Sequence, residues 1–280
     1  MKTNLRILSL GAGVQSSTLA LMIEKGKVPM VDCAIFADTQ AEPKEVYSWL
    51  EYLKTQIKSY PIHIVTWRNL KQDILDASLG NYKGFAAPFF TKNIETNKKG
   101  LLMRQCTSDY KIKPVVKKIR NLLNVAYKKR VPKSTKVELL MGISNDEIYR
   151  VKLNRLPYIE NQYPLIDLKF TRQTCLNWLK QNNYPLAPRS ACTFCPYHSN
   201  EEWLRIKNGN KEEWEEIVKI DTAIRNQYRF KKNNAGSGKL KDELYLHRDC
   251  KPINEIDFTA KKNNQMDFGF NNECEGMCGV

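Results

Sequence analysis

The chain has 280 residues, enough to bury a full core as one large domain or as a domain with a smaller appendage. No stretch approaches the ~18 consecutive apolar residues of a membrane span. Met1–Asn4 run straight into a strand-like segment, so a cytoplasmic protein with no signal peptide and no membrane partner is expected. The formal charge of +15 is unevenly spread: between Lys92 and Lys136 fourteen Lys and Arg stand against Glu95 and Asp109 alone. Such a segment attracts polyanions, whether tRNA, DNA or nucleotide phosphates; a solvated lysine-rich face is the plainer reading beside it. In a reducing compartment the eight cysteines are expected to be thiolates that bind metal or react, not disulfides.

Leu5–Leu10 reads as a strand, followed by a Gly-rich turn and a helix over Ser17–Lys25. Val31–Ala37 is a second β-type run ending in Asp38-Thr39, and Pro43–Lys58 has the spacing of an amphipathic helix. Ile62–Trp67 and Val137–Met141 are further strands, the last ending at Gly142. Strands separated by helices predict an α/β domain over residues 1–170, a parallel sheet with helices on both faces and ligands at the strand carboxyl ends. Residues 80–110 read as a long loop, and Lys111–Val125 as a basic helix. Residues 171–280 read as a smaller, helical, cysteine-bearing and metal-binding region, with helices over Gln173–Asn182, Glu201–Lys207 and Glu212–Arg229 and a linker at Asn233–Gly238.

Strand, then Ser9-Leu10-Gly11-Ala12-Gly13-Val14-Gln15-Ser16-Ser17, then helix is a phosphate-loop pattern. Glycines let the backbone approach phosphate oxygens, and a helix N-terminus offers unpaired N–H groups and a positive dipole end. Gly11-x-Gly13-x-x-Ser16 with Asp38 closing the next strand fits a Rossmann dinucleotide site, the acid holding a ribose. A purely structural βα turn is the alternative.

The same loop resembles the PP-loop of the ATP pyrophosphatases, Ser-Gly-Gly-x-Asp-Ser, with Gly11, Ala12 and Gln15 in place of the first Ser, the first Gly and the Asp. Phe36-Ala37-Asp38-Thr39 with Glu42, Arg104-x-Cys106-Thr107, Tyr110-Lys111-Ile112-x-Pro114, Gly142-Ile143-Ser144-x-Asp146-Glu147-x-x-Arg150, Tyr163-Pro164-Leu165 and Cys192-x-x-Cys195-Pro196 follow in order. That series resembles the phosphoadenosine phosphosulfate reductase-like branch of this superfamily over most of residues 5–200. The resemblance implies an adenine nucleotide alpha hydrolase-like fold. It implies ATP and Mg²⁺ at Ser9, Gly11, Gly13, Gln15, Ser16, Ser17, Asp38, Thr39 and Gly142, and it assigns catalytic roles to Arg104, Cys106, Lys111 and Arg150.

Cys192-x-x-Cys195 has a bite that fits tetrahedral zinc or an iron–sulfur cluster. Some PP-loop tRNA-thiolation enzymes hold a [4Fe–4S] cluster on three cysteines, and Cys106, Cys192 and Cys195 look like that triple. Soft thiolates suit Zn²⁺ as well. Cys250, Cys274 and Cys278, with His247 close by in sequence, could make a second metal site or supply a tail nucleophile. His198 is an outside candidate ligand, and Cys33 and Cys175 read as core.

Taken together, the expected function is an adenylating enzyme that converts ATP to AMP and pyrophosphate and transfers sulfur from a donor to a nucleic-acid or nucleotide substrate. A sulfonucleotide reductase with a cysteine nucleophile is the first alternative. A non-catalytic nucleotide-sensing nucleic-acid-binding protein with structural zinc is the second. A homodimer is compatible with all three.

Overall fold

The computed structural model describes residues 5–81, 86–126, 128–225 and 242–259. The strands in chain order are β1 (Leu5–Leu10), β2 (Cys33–Asp38), β3 (Ile62–Thr66), β4 (Phe90–Lys92), β5 (Lys99–Leu101), β6 (Val137–Met141), β7 (Ile159–Gln162) and β8 (Glu243–Tyr245). The α-helices are α1 (Val14–Glu24), α2 (Lys44–Gln56), α3 (Leu70–Ser78), α4 (Lys113–Leu122), α5 (Pro164–Asp167), α6 (Arg172–Gln181), α7 (Asn200–Asn208) and α8 (Lys211–Arg225). Among the described residues no helix is long and apolar enough to cross a membrane.

The chain forms two compact units and passes between them at Trp67/Arg68, Cys106/Thr107 and Ala191/Cys192. The sequence suggests one break near residue 170. Instead, residues 68–106 fold with the segment after Cys192, and residues 171–191 fold with the first unit. Helix α6 explains the second difference: its Cys175 and Leu179 belong to the same apolar cluster as Leu8, Leu19 and Phe36. A boundary drawn after residue 170 would strip that cluster of one wall.

The first unit holds a five-stranded sheet of order β3-β2-β1-β6-β7, every neighbouring pair parallel. The near-continuous apolar runs of β1, β2 and β6 suit a sheet covered on both faces. Period-two alternation sends Leu8, Leu10, Ala34, Phe36 and Leu140 into one core with residues of α1, α2 and α6. Ile7, Cys33, Ile35, Leu139 and Met141 point into the opposite core, with Val115 and Ile119 of α4. The predicted α/β architecture is therefore the one observed. Burial first, and Asp32 second, push the Cys33 thiol up to about 11, so it stays protonated near neutrality and behaves as a core side chain.

The strand order fixes where a ligand can sit. From β1 the chain goes outward to β2 and β3, then returns to the other side of β1 as β6. The adjacent connections leave β1 and β6 in opposite directions, which opens a crevice at their carboxyl ends. Ser9 pairs with Met141, so the loop that begins at Gly11 and the turn that begins at Gly142 leave the sheet side by side.

The second unit carries a small antiparallel sheet, order β5-β4-β8, together with α3, α7 and α8. The segment expected to be a loop at residues 80–110 contains the β4–β5 hairpin, its turn held by the Asn93 side chain accepting N–H bonds from Glu95 and Thr96. Helix α3 begins at Asn69, whose side chain accepts the Gln72 N–H. Its Leu70, Ile74 and Ala77 make a buried stripe at helical spacing. Asp221 of α8 is fully buried and accepts the backbone N–H groups of Leu246 (3.2 Å) and Ile253 (2.9 Å), with Arg225 paired to it. One carboxylate thus staples residues 246–253 to α8. The linker expected at Asn233–Gly238 lies outside the described residues.

Candidate functional site

The loop after β1 is held open by its own backbone and by two neighbours. Ala12 adopts a left-handed φ of 57°, a conformation an alanine takes at a cost of about 1 kcal/mol or more. Gly13 then occupies the N-cap of α1 with extended backbone, and no side chain caps the helix. Helix α1 has no acidic residue in its first turn, so its N-terminal N–H groups and dipole face the loop without an internal anion. The Ser16 hydroxyl accepts the Gly11 N–H at 3.2 Å and lies 3.4 Å from the Gly13 carbonyl, bracing the loop from inside.

Gly142 is the second device. A Cβ built on it would lie 2.6 Å from both the Cα and the N of Ser16, closer than real Cβ atoms approach backbone. Only glycine lets the end of β6 touch the first turn of α1.

Beneath the loop lies a polar network. Gln15 is buried; its amide nitrogen lies 3.4 Å from both Ser144 Oγ and Glu147 Oε2, and its oxygen accepts from Arg172 at 3.1 Å. Glu147 is also buried and pairs with Arg150 at 2.5 Å. Asp146 accepts the Arg172 backbone N–H and the Ser144 hydroxyl. Gln15 and Arg150, expected to contact phosphate, are thus engaged in tying the loop to the turn after β6. Ser17 is likewise fully buried, its hydroxyl accepting the Trp49 indole N–H at 2.8 Å, which anchors α1 to α2.

On the β2 side, Asp38 accepts the Gln40 N–H (2.7 Å) and the Tyr47 hydroxyl (2.8 Å) through one oxygen, Oδ1. Burial first, and the bond to Asp38 second, raise the Tyr47 phenol well above its ordinary value, so it remains a donor. Thr39 is buried beside it in sequence, and Glu42 is buried 3.4 Å from the Lys111 ammonium. Ser190 donates to the other oxygen of Glu42 at 3.3 Å. A π-helical turn over Thr107–Ile112 precedes α4 and buries Tyr110 and Lys111; such turns recur at functional sites. Lys111 with Ser9, Leu10, Gly11, Ile35, Phe36, Ala37 and Val115 lines a small cleft at the strand ends. The first unit therefore brings the buried Lys111 ammonium and Gly11 to one apolar-walled cleft, with Glu42 paired to that ammonium.

The remaining candidates belong to the second unit. Arg104 lies over the Tyr197 ring at 5.6 Å. Burial raises the Tyr197 phenol, Arg104 opposes the rise, and Cys195 and Cys106 add to it, which places both thiols in its neighbourhood. The Cys192–Cys195 turn is closed by the Cys195 N–H on the Cys192 carbonyl (3.0 Å). His198 Nε2 donates to that same carbonyl at 3.0 Å, and the ring sits edge-on to Trp203, so it braces the turn and does not offer Nε2 as a ligand. Among the described residues no three His, Cys, Asp or Glu side chains converge to hold a metal ion.

Cys250 is buried with a left-handed φ of 53°, its thiol 3.7 Å from the Thr91 carbonyl, and burial raises its pKa. His247 accepts the Asp249 N–H at Nδ1 and bonds Asn200 Oδ1 through Nε2, so both ring nitrogens hold local structure. Cys274 and Cys278 lie outside the described residues. Arg172, Ser190 and Tyr47 had no signal in the sequence as site residues: each lies far along the chain from its partner or inside an ordinary helix.

No protein-family model matches the chain, and no curated protein matches it. Among solved structures it is similar to phosphoadenylyl-sulfate (PAPS) reductase from Candida auris in a phosphate complex, at 12 % identity and a TM-score of 0.39, over 66 % of this chain and 76 % of that one.

Proposed function

We propose that the first unit binds ATP at the Gly11–Ser17 loop and cleaves it between the α and β phosphates, adenylating an oxygen of a second substrate. The observation that supports this most is the uncapped, acid-free N-terminus of α1, held against Gly142 at the sheet's switch point beside the buried Lys111. Loop N–H groups and Lys111 would stabilise the negative charge that builds on the departing pyrophosphate. Mg²⁺ would take hard oxygen donors, and Asp38 retains Oδ2 for it after Oδ1 has accepted two bonds. The substrate oxygen attacks the α-phosphorus, and pyrophosphate leaves with the bonding electrons. Sulfur at the sulfide level, HS⁻ from a separate donor handled at Cys106, Cys192 and Cys195, then attacks the carbon that bears the adenylated oxygen; the carbon–sulfur bond forms, the carbon–oxygen bond breaks, and AMP leaves with the bonding electrons. The basic run through α4 makes nucleic acid the favoured acceptor. A [4Fe–4S] cluster on the three cysteines is the finer form of the proposal, and no step above depends on it.

The two serines of the loop separate binding from structure. Ser16→Ala removes the hydroxyl that braces the loop through the Gly11 N–H and the Gly13 carbonyl and is expected to weaken ATP binding by about 0.5–1.5 kcal/mol, the net range for one ordinary hydrogen bond. Ser17→Ala loses the Trp49 partner and is expected to lower the melting temperature while the ATP affinity changes little. Calorimetric titration with ATP, paired with a melting curve for each variant, reads both. Equal affinities in Ser16→Ala and the parent would remove this loop from the site. For the cysteines, anaerobic purification with iron, zinc and sulfide analysis should give about four irons and four sulfides per chain, lost in Cys192→Ala. Zinc alone, or no metal, would set the cluster aside and leave thiol chemistry.

A further inference from the structure

The stretch that leaves the polar network of the first unit carries a second pattern. From Ile148 to Pro157 the sequence reads Ile-Tyr-Arg-Val-Lys-Leu-Asn-Arg-Leu-Pro, apolar and basic residues interleaved with no acidic one. Ile148 is 57 % exposed, Tyr149 58 %, Val151 41 % and Leu153 93 %. A soluble surface rarely leaves four large apolar side chains within six residues in water without a use for them. Lys152 and Arg155 are also exposed, and among the described residues neither is in an ion pair.

The stretch is held in this form. The Tyr163 hydroxyl accepts the Lys152 N–H at 3.1 Å and donates to the Lys152 carbonyl at 2.7 Å; Asn161 donates to that carbonyl as well at 3.0 Å. Asn154 donates to Asn161 and accepts the Leu156 N–H. Backbone pinned from both sides cannot fold back to bury Leu153. At its start, Arg150 turns inward to Glu147, whose other oxygen faces Gln15 of the phosphate loop. The segment therefore begins at the nucleotide cradle and presents its side chains outward.

From these observations we propose that residues 148–155 form a docking platform for an unpaired nucleic-acid strand, which would bring the acceptor to the adenylation site. Tyr149 offers a ring face for a base, Leu153 and Val151 offer apolar faces, and Lys152 and Arg155 pair with the strand's phosphates. Stacking faces interleaved with cations are what a single strand needs and a duplex cannot use, because its bases are already stacked. Charge complementarity selects a polyanion. The proposal rests on the adenylating reading above for the platform's purpose but not for its existence.

The test is fluorescence anisotropy with labelled single-stranded oligonucleotides of RNA and of DNA, and the matching duplexes, as salt is raised. ATP titration calorimetry and melting curves accompany every protein. The full chain should bind the single strand tighter than the duplex. Tyr149→Ala with Leu153→Ala should weaken single-strand binding about tenfold or more, with the salt slope kept, because the lost contacts are stacking and apolar faces. Lys152→Ala with Arg155→Ala should flatten the log–log salt slope by roughly 0.7 per lost phosphate contact, whereas Lys117→Ala with Lys118→Ala should weaken strand and duplex alike. ATP affinity should stay at the parent's value throughout. Single-strand binding unchanged in both platform variants would overturn the proposal. So would polyglutamate binding as tightly as RNA and losing the same factor, which would make this a protein-docking face. A parent chain that binds ATP but no polynucleotide also overturns it while leaving the ATP site standing; one that binds RNA but not ATP fails the adenylating reading alone.

Discussion

Gly142→Ala is expected to lower ATP affinity at least tenfold, about 1.4 kcal/mol, in a protein that still folds. The added methyl group would lie 2.6 Å from the backbone of Ser16, so the end of β6 and the first turn of α1 must part by several tenths of an ångström. Neither side can yield cheaply. Strand β6 is hydrogen-bonded between β1 and β7, and α1 is fixed by the Ser17–Trp49 bond and by core residues from Leu19 to Ile23. Overpacking of this kind costs about 1–3 kcal/mol of stability. Moving the helix N-terminus also turns its N–H groups away from the loop and stretches the contacts from Gln15 to Ser144 and Glu147. The effect on binding should therefore exceed that of any single hydroxyl. Calorimetry with ATP measures it, and a Gly142→Ala protein that binds like the parent would show that the contact does not shape the nucleotide site.

Asp221→Ala should give the largest loss of stability, about 3–5 kcal/mol, the range for breaking a buried charged pair from one side. The carboxylate is fully buried and takes the N–H groups of Leu246 and Ile253 as well as the Arg225 guanidinium. Its removal strands two buried donors and one cation at once, and the segment that carries β8 and Cys250 loses its tie to α8. Asp221→Asn keeps an acceptor for one N–H and should lose less. Thermal melting and limited proteolysis report the change, with cleavage expected first between residues 242 and 259. An alanine variant that melts with the parent would mean that packing alone holds this segment.

The comparison of sequence with structure divides along physical lines. Strands β1, β2, β3 and β6 were legible because each is a run of apolar residues bounded by turn chemistry, and their alternation with helices implies a parallel sheet. The turn between β1 and α1 was legible because glycine spacing is a backbone property. Even so, α1 starts at Val14, three residues before the predicted Ser17, since Gly13 takes the N-cap with no side-chain signal. Strand β7, Ile-Glu-Asn-Gln, was not legible: it is an edge strand with one fully buried residue, and its pairing to β6 is decided by tertiary contact.

Side-chain roles at the site were harder to read than positions. Gln15 departs from the loop pattern that the sequence resembles, and its role was not readable there; its amide joins three elements because amide oxygen and nitrogen can accept and donate at once. Arg172 could not be found from sequence, since it lies 157 positions from Gln15. Ala12 shows the opposite case: the loop needs a left-handed residue there whichever side chain the sequence supplies. Unit boundaries were illegible because, among the described residues, the chain crosses three times, each crossing lying between residues of unremarkable composition.

The measurement that tests the central claim most directly is the identity of the products formed from ATP. The purified chain, incubated with ATP, Mg²⁺ and total RNA or single-stranded DNA, should release AMP and pyrophosphate in equal amounts, resolved by anion-exchange chromatography. Gly142→Ala and Ser16→Ala should slow that release. ADP and inorganic phosphate as the products, or intact ATP with every nucleic acid supplied, would contradict the account.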